Sequence, residues 1–435
     1  MRLFIALLLY RLLLPLLFIV AYPWWLFIMW RRGGGGTHLG ERIAIYKTSR
    51  AAESNGAVHI HAISVGESLL ALKLIRAWRS RMPDQRFVLA TGTSTGHAVA
   101  SAAAIPGLRV TYAPIDFPSM VSRYLKRFKP AQIILIEAEL WPSLLVACRQ
   151  RNIPISLVNA RMSPQSVRRY QRFTALTRPL LAMLEAVAIQ EPEHAAMWQN
   201  LGVDLQRIHY TGSLKFDPSG GEPPVKRAEF QDMLDYFGQP RPVIIAASTH
   251  AGEDAWIAAA IGRAVPLALP VIVPRHAERR ATVANELEQA GFTVFTRSKF
   301  HDLAKLPRPA EGRHVLLIDS TGELRDWTAH ADLVIIGKSF FATGGQNPTE
   351  AILTNKPIIF GPHMDNFEPL ASQLVTAHGA LRVVDANELV TAISTALEPS
   401  TAASMTHNAA QVLIRHDGAT QRIIDLVTTI STTRK

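Results

Sequence analysis

Residues 57–78 read AVHIHAISVGESLLALKLIRAW. The run AVHIHAISV, 57–65, carries apolar residues on both faces, the chain turns at Gly66, and from Ser68 the apolar positions fall at helical spacing. A run apolar on both faces, followed by an amphipathic stretch, marks a strand buried in a parallel sheet and its crossover helix. The alternation recurs downstream with RFVLATG at 86–92, AQIILIEAE at 131–139 and IPISLVNA at 153–160. It restarts with PVIIAAST at 242–249, PVIVPRH at 270–276, HVLLIDS at 314–320, ADLVIIG at 331–337 and KPIIFGP at 356–362. Between the two series lies the Gly/Pro-rich stretch DPSGGEPPVKR, 217–227, which reads as an interdomain linker. The expectation is an α/β protein with two Rossmann-like doubly wound domains, 37–216 and 228–414. They face a cleft at their strand ends, where open α/β sheets bind ligands.

The composition agrees with a folded chain: of 435 residues, 48% are apolar and 19% charged. A single cysteine, Cys148, excludes an intramolecular disulfide and a cysteine-built zinc site, and points to a reducing compartment. Charge is divided unevenly. Residues 1–210 hold 25 Lys and Arg against 11 Asp and Glu, and residues 211–435 hold 21 against 24, so the net +11 resides in the first half. That half is expected to face something anionic, nucleic acid or a membrane surface.

The amino terminus favours the membrane. Leu12 to Trp30, LLLPLLFIVAYPWWLFIMW, is uncharged, and the apolar run extends upstream through LFIALLLY with only Arg11 between. As a helix, nineteen residues rise about 28 Å, roughly the hydrocarbon thickness of a bilayer. The run is too long for a secretory signal, carries Trp24, Trp25 and Trp30, and lacks a small-residue cleavage site. Arg31 and Arg32 then follow as a positive-inside flank, which keeps the body in the cytoplasm. Residues 1–32 read as an anchor, spanning or in-plane, and Gly33 to Gly36 as a flexible joint.

Polar residues cluster at the expected strand ends. Ser64-Val65-Gly66-Glu67 puts a carboxylate at a helix amino terminus, either as a first-turn charge stabilised by the dipole or as a general base within reach of a hydroxyl. Glu137 and Glu139 share one face of a strand end, a costly arrangement unless they are solvated or bind something. Arg161 closes the next strand and precedes Arg168, Arg169, Arg172 and Arg178, a solvated face or a contact for anionic head groups. In the second half, Ser248, Thr249 and Arg275 combine short hydroxyls, exposed amides and a planar cation, the requirements of a phosphate site, while His276 either joins them or packs. In Thr343-Gly344-Gly345-Gln346-Asn347-Pro348-Thr349-Glu350, the glycines would let amides approach a phosphate at a helix start, and Glu350 could accept two ribose hydroxyls. No GxGxxG with a trailing acid, P-loop, HExxH or GxSxG stands at a strand-to-helix junction, which argues against dehydrogenases, P-loop kinases, zinc proteases and α/β-hydrolases. With no helix-turn-helix or RNP-like strand, membrane phosphate explains the basic half better than nucleic acid.

Together these stretches match a family. HAISVGE (61–67), EAELWP (137–142), VNARMS (158–163), TGSLKFD (211–217), ASTHAGED (247–254), PRHAER (274–279), GGQNPTEA (344–351) and GPHMDNF (361–367) resemble, in order, the membrane-anchored Kdo transferases of lipopolysaccharide synthesis. The resemblance implies a GT-B glycosyltransferase fold and transfer of 3-deoxy-D-manno-octulosonic acid (Kdo) from CMP-Kdo. The acceptor it implies is the tetraacyl disaccharide precursor of lipid A, lipid IVA, at the cytoplasmic side of the cell inner membrane. It implies Glu67 as the general base, and Glu139, Glu137, Arg161 and Ser64 in the acceptor or Kdo pocket. Ser213, Lys215, Ser248, Thr249, Arg275, His276, Lys338, Gly344, Gly345, Asn347 and Glu350, grouped with the second domain, resemble the CMP-binding set. No metal or cofactor is expected, because one base and a stabilised leaving phosphate suffice for a single displacement. The final helix, within 415–435, is expected to pack back on the first domain. Lys338 departs from the pattern by standing where a second glycine is usual: there it is either strained, if φ must be positive, or an added phosphate contact. Two other readings stay open: another membrane-surface GT-B enzyme, such as a lipid A disaccharide synthase, and a non-catalytic nucleotide-sensing tether.

Overall fold

The computed structural model describes residues 2–31, 39–46, 56–138, 140–219, 224–238, 241–301, 309 and 311–432, with the side chains of 2, 22 and 25–31 excepted. Glu139, the glycine joint at 33–36 and residues 220–223 of the expected linker lie outside them. The chain divides into one compact unit of Met1–Gly220 with His416–Lys435, and a second of Gly221–Arg415.

The first unit is built on β1 (Val58–Ala62), β2 (Phe87–Thr91), β3 (Leu108–Tyr112), β4 (Gln132–Ile136), β5 (Ile155–Ala160), β6 (Ala186–Ile189) and β7 (Ile208–Tyr210). They form a parallel sheet in the order β3-β2-β1-β4-β5-β6-β7. The second unit holds β8 (Val243–Thr249), β9 (Leu269–Pro274), β10 (Thr293–Thr296), β11 (His314–Leu317), β12 (Leu333–Ile336), β13 (Ile358–Phe360) and β14 (Leu381–Arg382). Its parallel order is β10-β11-β9-β8-β12-β13-β14. In each sheet the strands that follow the first build up on one side of it, with β11 inserted between β9 and β10 in the second, and the later strands on the other side. The switch points lie between β1 and β4 and between β8 and β12, and in such sheets the crevice outside the carboxyl ends at that point receives the ligand.

Strands β1, β2, β4, β5, β8, β9 and β11–β13 are buried along their whole length, as their continuous apolar runs require. The apolar-run criterion does not pick out β3, β7, β10 and β14, which are short or partly exposed, nor the four-residue β6. One boundary also moves. β1 stops at Ala62 and the helix Val65–Arg81 begins before Gly66, because Ser64 takes an extended cap conformation and its Oγ accepts the Glu67 N–H at 3.1 Å.

The terminal helix Ala419–Thr432 lays Ile423, Ile424 and Val427 into the core beside Ala71, Leu72 and Ile75 of helix Val65–Arg81. Asp217 caps it, accepting the N–H groups of Gly418 at 3.1 Å and Thr420 at 2.6 Å. At the other end of the chain, helix Arg2–Arg31 continues through Pro15 and Pro23. Its segment Leu3–Ala21 is long and apolar enough to cross a membrane. Leu7 is buried, the Tyr10 hydroxyl donates to Asp116 Oδ2 at 2.9 Å, and Phe18 meets Phe117 edge-on at 6.0 Å. Phe4, Leu12, Leu16, Leu17, Ile19, Val20 and Trp24 are exposed. The helix thus has one side on the body and a large apolar surface turned outward.

The centre of the first sheet contains two buried imidazoles, His59 and His61, on one face of β1. They pack against Tyr124, whose hydroxyl lies 2.7 Å from His59 Nδ1, and Phe128 also faces His59. Burial keeps both neutral, pushing His61 down to about 4 and His59 well below the usual range, with the Arg109 charge adding to the effect on His59. The folded values lie below the unfolded ones, so acid protonates the unfolded chain first. This contribution is complete above about pH 6.5 and is lost as pH falls toward about 4. Melting temperature measured from pH 7.5 down to 4.5 should therefore fall less steeply for His61→Gln than for the wild type; parallel curves would refute this role.

Candidate active site

In the first unit the site begins with a capping box. Ser64 is the N-cap of helix Val65–Arg81, and Glu67 reaches back from the first turn. Its Oε2 accepts the Ile63 N–H at 2.8 Å and its Oε1 accepts the Ser64 hydroxyl at 2.8 Å. These bonds fix the carboxylate at the carboxyl end of β1, beside the switch point. Burial raises the Glu67 pKa above the ordinary carboxylate value; the bonds from Ser64 and Ile63 oppose this, and the charge of Glu137 adds to it. A carboxylate so poised can accept a proton from a hydroxyl.

Glu137 follows β4 with φ of 64°, a left-handed conformation held in part by its N–H donating to Val158 O at 3.0 Å. Its Oε2 pairs with Arg161 Nε at 3.0 Å. The Lys215 ammonium is close by, pushed down to about 8 by burial and then by Arg161, with Glu137 opposing. Asn159, fully buried at φ of 54°, ties the loops together. Its Oδ1 accepts the Leu214 N–H at 3.0 Å and the Ser213 hydroxyl at 3.4 Å, and its carbonyl accepts Gln190 Nε2 at 2.8 Å.

The second unit uses a parallel device at its own switch point. Ser248, near the end of β8, has φ of 58°, and Lys338, just past β12, has φ of 54°. Glu253, fully buried at the start of helix Glu253–Ala264, joins these loops. Its Oε2 accepts the N–H groups of His250 at 2.9 Å and Lys338 at 2.6 Å, and its Oε1 those of Ser339 and Phe340, both at 3.1 Å. The neighbouring Asp254 accepts the Thr249 hydroxyl at 2.5 Å and Arg279 at 2.7 Å. Gly337 admits no side chain, since a Cβ there would lie 2.6 Å from Thr249 Cα. Four non-glycine residues with positive φ, Glu137, Asn159, Ser248 and Lys338, thus lie at strand ends beside the two switch points. Such strain persists only where surroundings over-determine it, and it concentrates at functional sites.

Arg275 and His276 are exposed beyond β9, His276 meeting His250 edge-on with ring centroids 5.6 Å apart. Glu350, in the first turn of helix Thr349–Leu353, is raised by burial and lowered by Arg325 and Arg275, so these two cations stand near it. Asn347 Oδ1 accepts the Thr349 N–H at 3.2 Å. Gly344 and Gly345 have φ of 115° and 68°, and side chains there would run into Asn366 and Met364.

Two sequence expectations are corrected. Ser213 and Lys215 are not part of the second domain: they follow β7 in the first unit, where Ser213 is buried, its N–H donating to His416 Nδ1 at 3.2 Å. The Gly344 and Gly345 amides are not free for a phosphate, because they donate to Asp365 Oδ2 at 3.2 Å and Lys338 O at 2.9 Å. The glycines are needed for conformation and close approach. Sequence reasoning missed Asn159, Glu253 and Arg325. Only Glu253 left a signal, an acid three residues after His250 at a helix start.

The comparisons bear on this geometry. Residues 37–218 match the family model described as 3-Deoxy-D-manno-octulosonic-acid transferase (kdotransferase). The 3-deoxy-D-manno-octulosonic acid transferase of Bordetella pertussis is 35% identical over 417 residues, 92% of this chain and 94% of that protein. The Haemophilus influenzae enzyme of the same name is 32% identical, covering 89% and 90%. The chain belongs to the 3-deoxy-D-manno-octulosonic acid transferases. It is therefore a glycosyltransferase that moves Kdo. Among solved structures, UDP-GlcNAc 2-epimerase from Neisseria meningitidis superposes with a TM-score of 0.57 at 12% identity, covering 86% of this chain and 100% of that one. A glycosyltransferase from Rickettsia africae gives 0.55 at 12%, covering 88% and 100%. Those likenesses concern fold alone, and with the two seven-stranded sheets they make this Kdo transferase a GT-B enzyme.

Proposed function

We propose that this Kdo transferase takes Kdo from CMP-Kdo and joins it to lipid IVA, the tetraacyl disaccharide precursor of lipid A, in one inverting displacement. Glu67 removes the proton from an acceptor sugar hydroxyl. The oxygen attacks the anomeric carbon of Kdo, and the bond from that carbon to the CMP phosphate oxygen breaks, releasing CMP. The observation that carries the reading is the Glu67 carboxylate itself: buried, raised in pKa and aimed by two hydrogen bonds at a switch point. Arg161 and Lys215 put positive charge beside it for an anionic sugar acid, with Glu137 and Ser64 completing the acceptor side and Glu139 assigned there by the family resemblance. In the second unit, Ser248, Thr249, Arg275, His276 and Asn347 are assigned to the nucleotide, and Glu350 to its ribose hydroxyls. Donor competition tests the assignment: CMP should inhibit Kdo transfer at concentrations where UDP does not, and stronger inhibition by UDP would reject CMP-Kdo as donor.

The acceptor is a lipid, and the chain carries the means to meet it. The outward apolar side of helix Arg2–Arg31 and the arginines Arg168, Arg169 and Arg172 of helix Pro164–Arg172, which buries no residue, suit the anionic cytoplasmic face of the inner membrane. Deleting residues 1–31 should leave binding to vesicles containing anionic lipid that high salt reverses, whereas the full chain should stay bound in salt. Equal salt sensitivity of the two proteins would count against the helix as anchor.

A further inference from the structure

Resting on the reading that the second unit holds the nucleotide, we propose that Lys338 is the cation that reads the donor's phosphate. The two glycines supply no free amide for the purpose, since Gly344 N–H is taken by Asp365 and Gly345 N–H by the Lys338 carbonyl. The ammonium stands over that turn instead: a Cβ built on Gly344 would lie 3.6 Å from Lys338 Nζ. Among the described residues Lys338 has no ion-pair partner, so its charge is available to an anion. Burial lowers the pKa of His250, in the loop after β8, and the Lys338 charge lowers it further, so the two side chains stand near each other.

The backbone shows what this placement requires. At φ of 54° a lysine is strained where glycine would not be. The conformation is held from both sides, the N–H by Glu253 Oε2 at 2.6 Å and the carbonyl by Gly345 N–H at 2.9 Å. A cation kept at a conformational cost, over a turn whose two glycine amides are engaged, fits a monophosphate ester.

The test uses the full chain in detergent, with CMP and cytidine as probes in calorimetric titration and competition. Lys338→Met keeps the stem and removes the charge; Lys338→Gly removes the charge and relieves the backbone. Both should lose about tenfold in CMP affinity, the worth of one charge-assisted contact, with cytidine affinity unchanged. Lys338→Gly should also melt higher than Lys338→Met. A Met variant that keeps the full preference for CMP over cytidine overturns the assignment of Lys338 alone. A wild type that binds neither probe overturns the donor-site reading and this inference with it.

Discussion

Replacing Glu67 with glutamine should lower turnover by about a thousandfold, within the range that removal of a general base produces, while CMP affinity stays near the wild-type value. Glutamine keeps the shape of the side chain, and its carbonyl can still accept from Ser64 or Ile63, so the loss isolates proton transfer from folding of the loop. An equal drop in CMP affinity and in rate would make Glu67 a binding residue. The pH profile supplies a second readout. Burial and Glu137 raise the Glu67 pKa, so the acid limb of the rate profile should lie above the ordinary carboxylate range, and activity should fall as pH falls through it. Glu137→Gln removes a like charge and frees Arg161 from its partner, and both changes favour ionised Glu67. The limb should shift to lower pH in that variant; a shift upward would contradict the placement of Glu137 beside the base.

The second large effect is structural. Glu253→Ala should cost at least about 3 kcal/mol of stability, because four backbone N–H groups that the carboxylate satisfies would lose their acceptor, each worth about 1 kcal/mol or more. The carboxylate lies at the amino terminus of a twelve-residue helix, whose dipole also stabilises its charge. Glu253→Gln should be nearly as damaging, since its amide nitrogen must face two N–H donors instead of accepting from them. Thermal and urea melts check both variants. A Glu253→Ala protein as stable as the wild type would mean that the Lys338–Phe340 loop holds its shape without the carboxylate.

How far the sequence can be read follows from what each residue must do. The strands Gln132–Ile136 and Val243–Thr249 are buried on both faces, so their apolar runs announce them. Leu108–Tyr112, Ile208–Tyr210 and Thr293–Thr296 are partly exposed, and their mixed composition resembles that of loops. Glu67 is legible as a carboxylate at the start of a helix that follows a buried strand, but the cap at Ser64 is not, because the apolar run continues through Val65. Ser213 and Lys215 precede the linker and so fall in the first domain by the sequence boundary, but nothing in TGSLKFD tells that Asn159 ties their loop to the end of β5. Glu253 reads as one more first-turn acid, and its burial under a loop 85 residues away in sequence is a tertiary fact. Lys338 is visible as a lysine beside Gly337 after an apolar run, but only the backbone angle shows that the strained conformation is the one adopted.

The most direct test of the account is the mass of the lipid product. Purified full-length protein is incubated with lipid IVA and freshly generated CMP-Kdo, in parallel with Glu67→Ala, and the lipid is analysed by mass spectrometry. The account predicts mass added in whole Kdo units by the wild type and none by the variant, with CMP bound by both. A wild-type protein that binds CMP and adds no mass would contradict lipid IVA as acceptor, and a variant that adds Kdo at the wild-type rate would contradict Glu67 as the base.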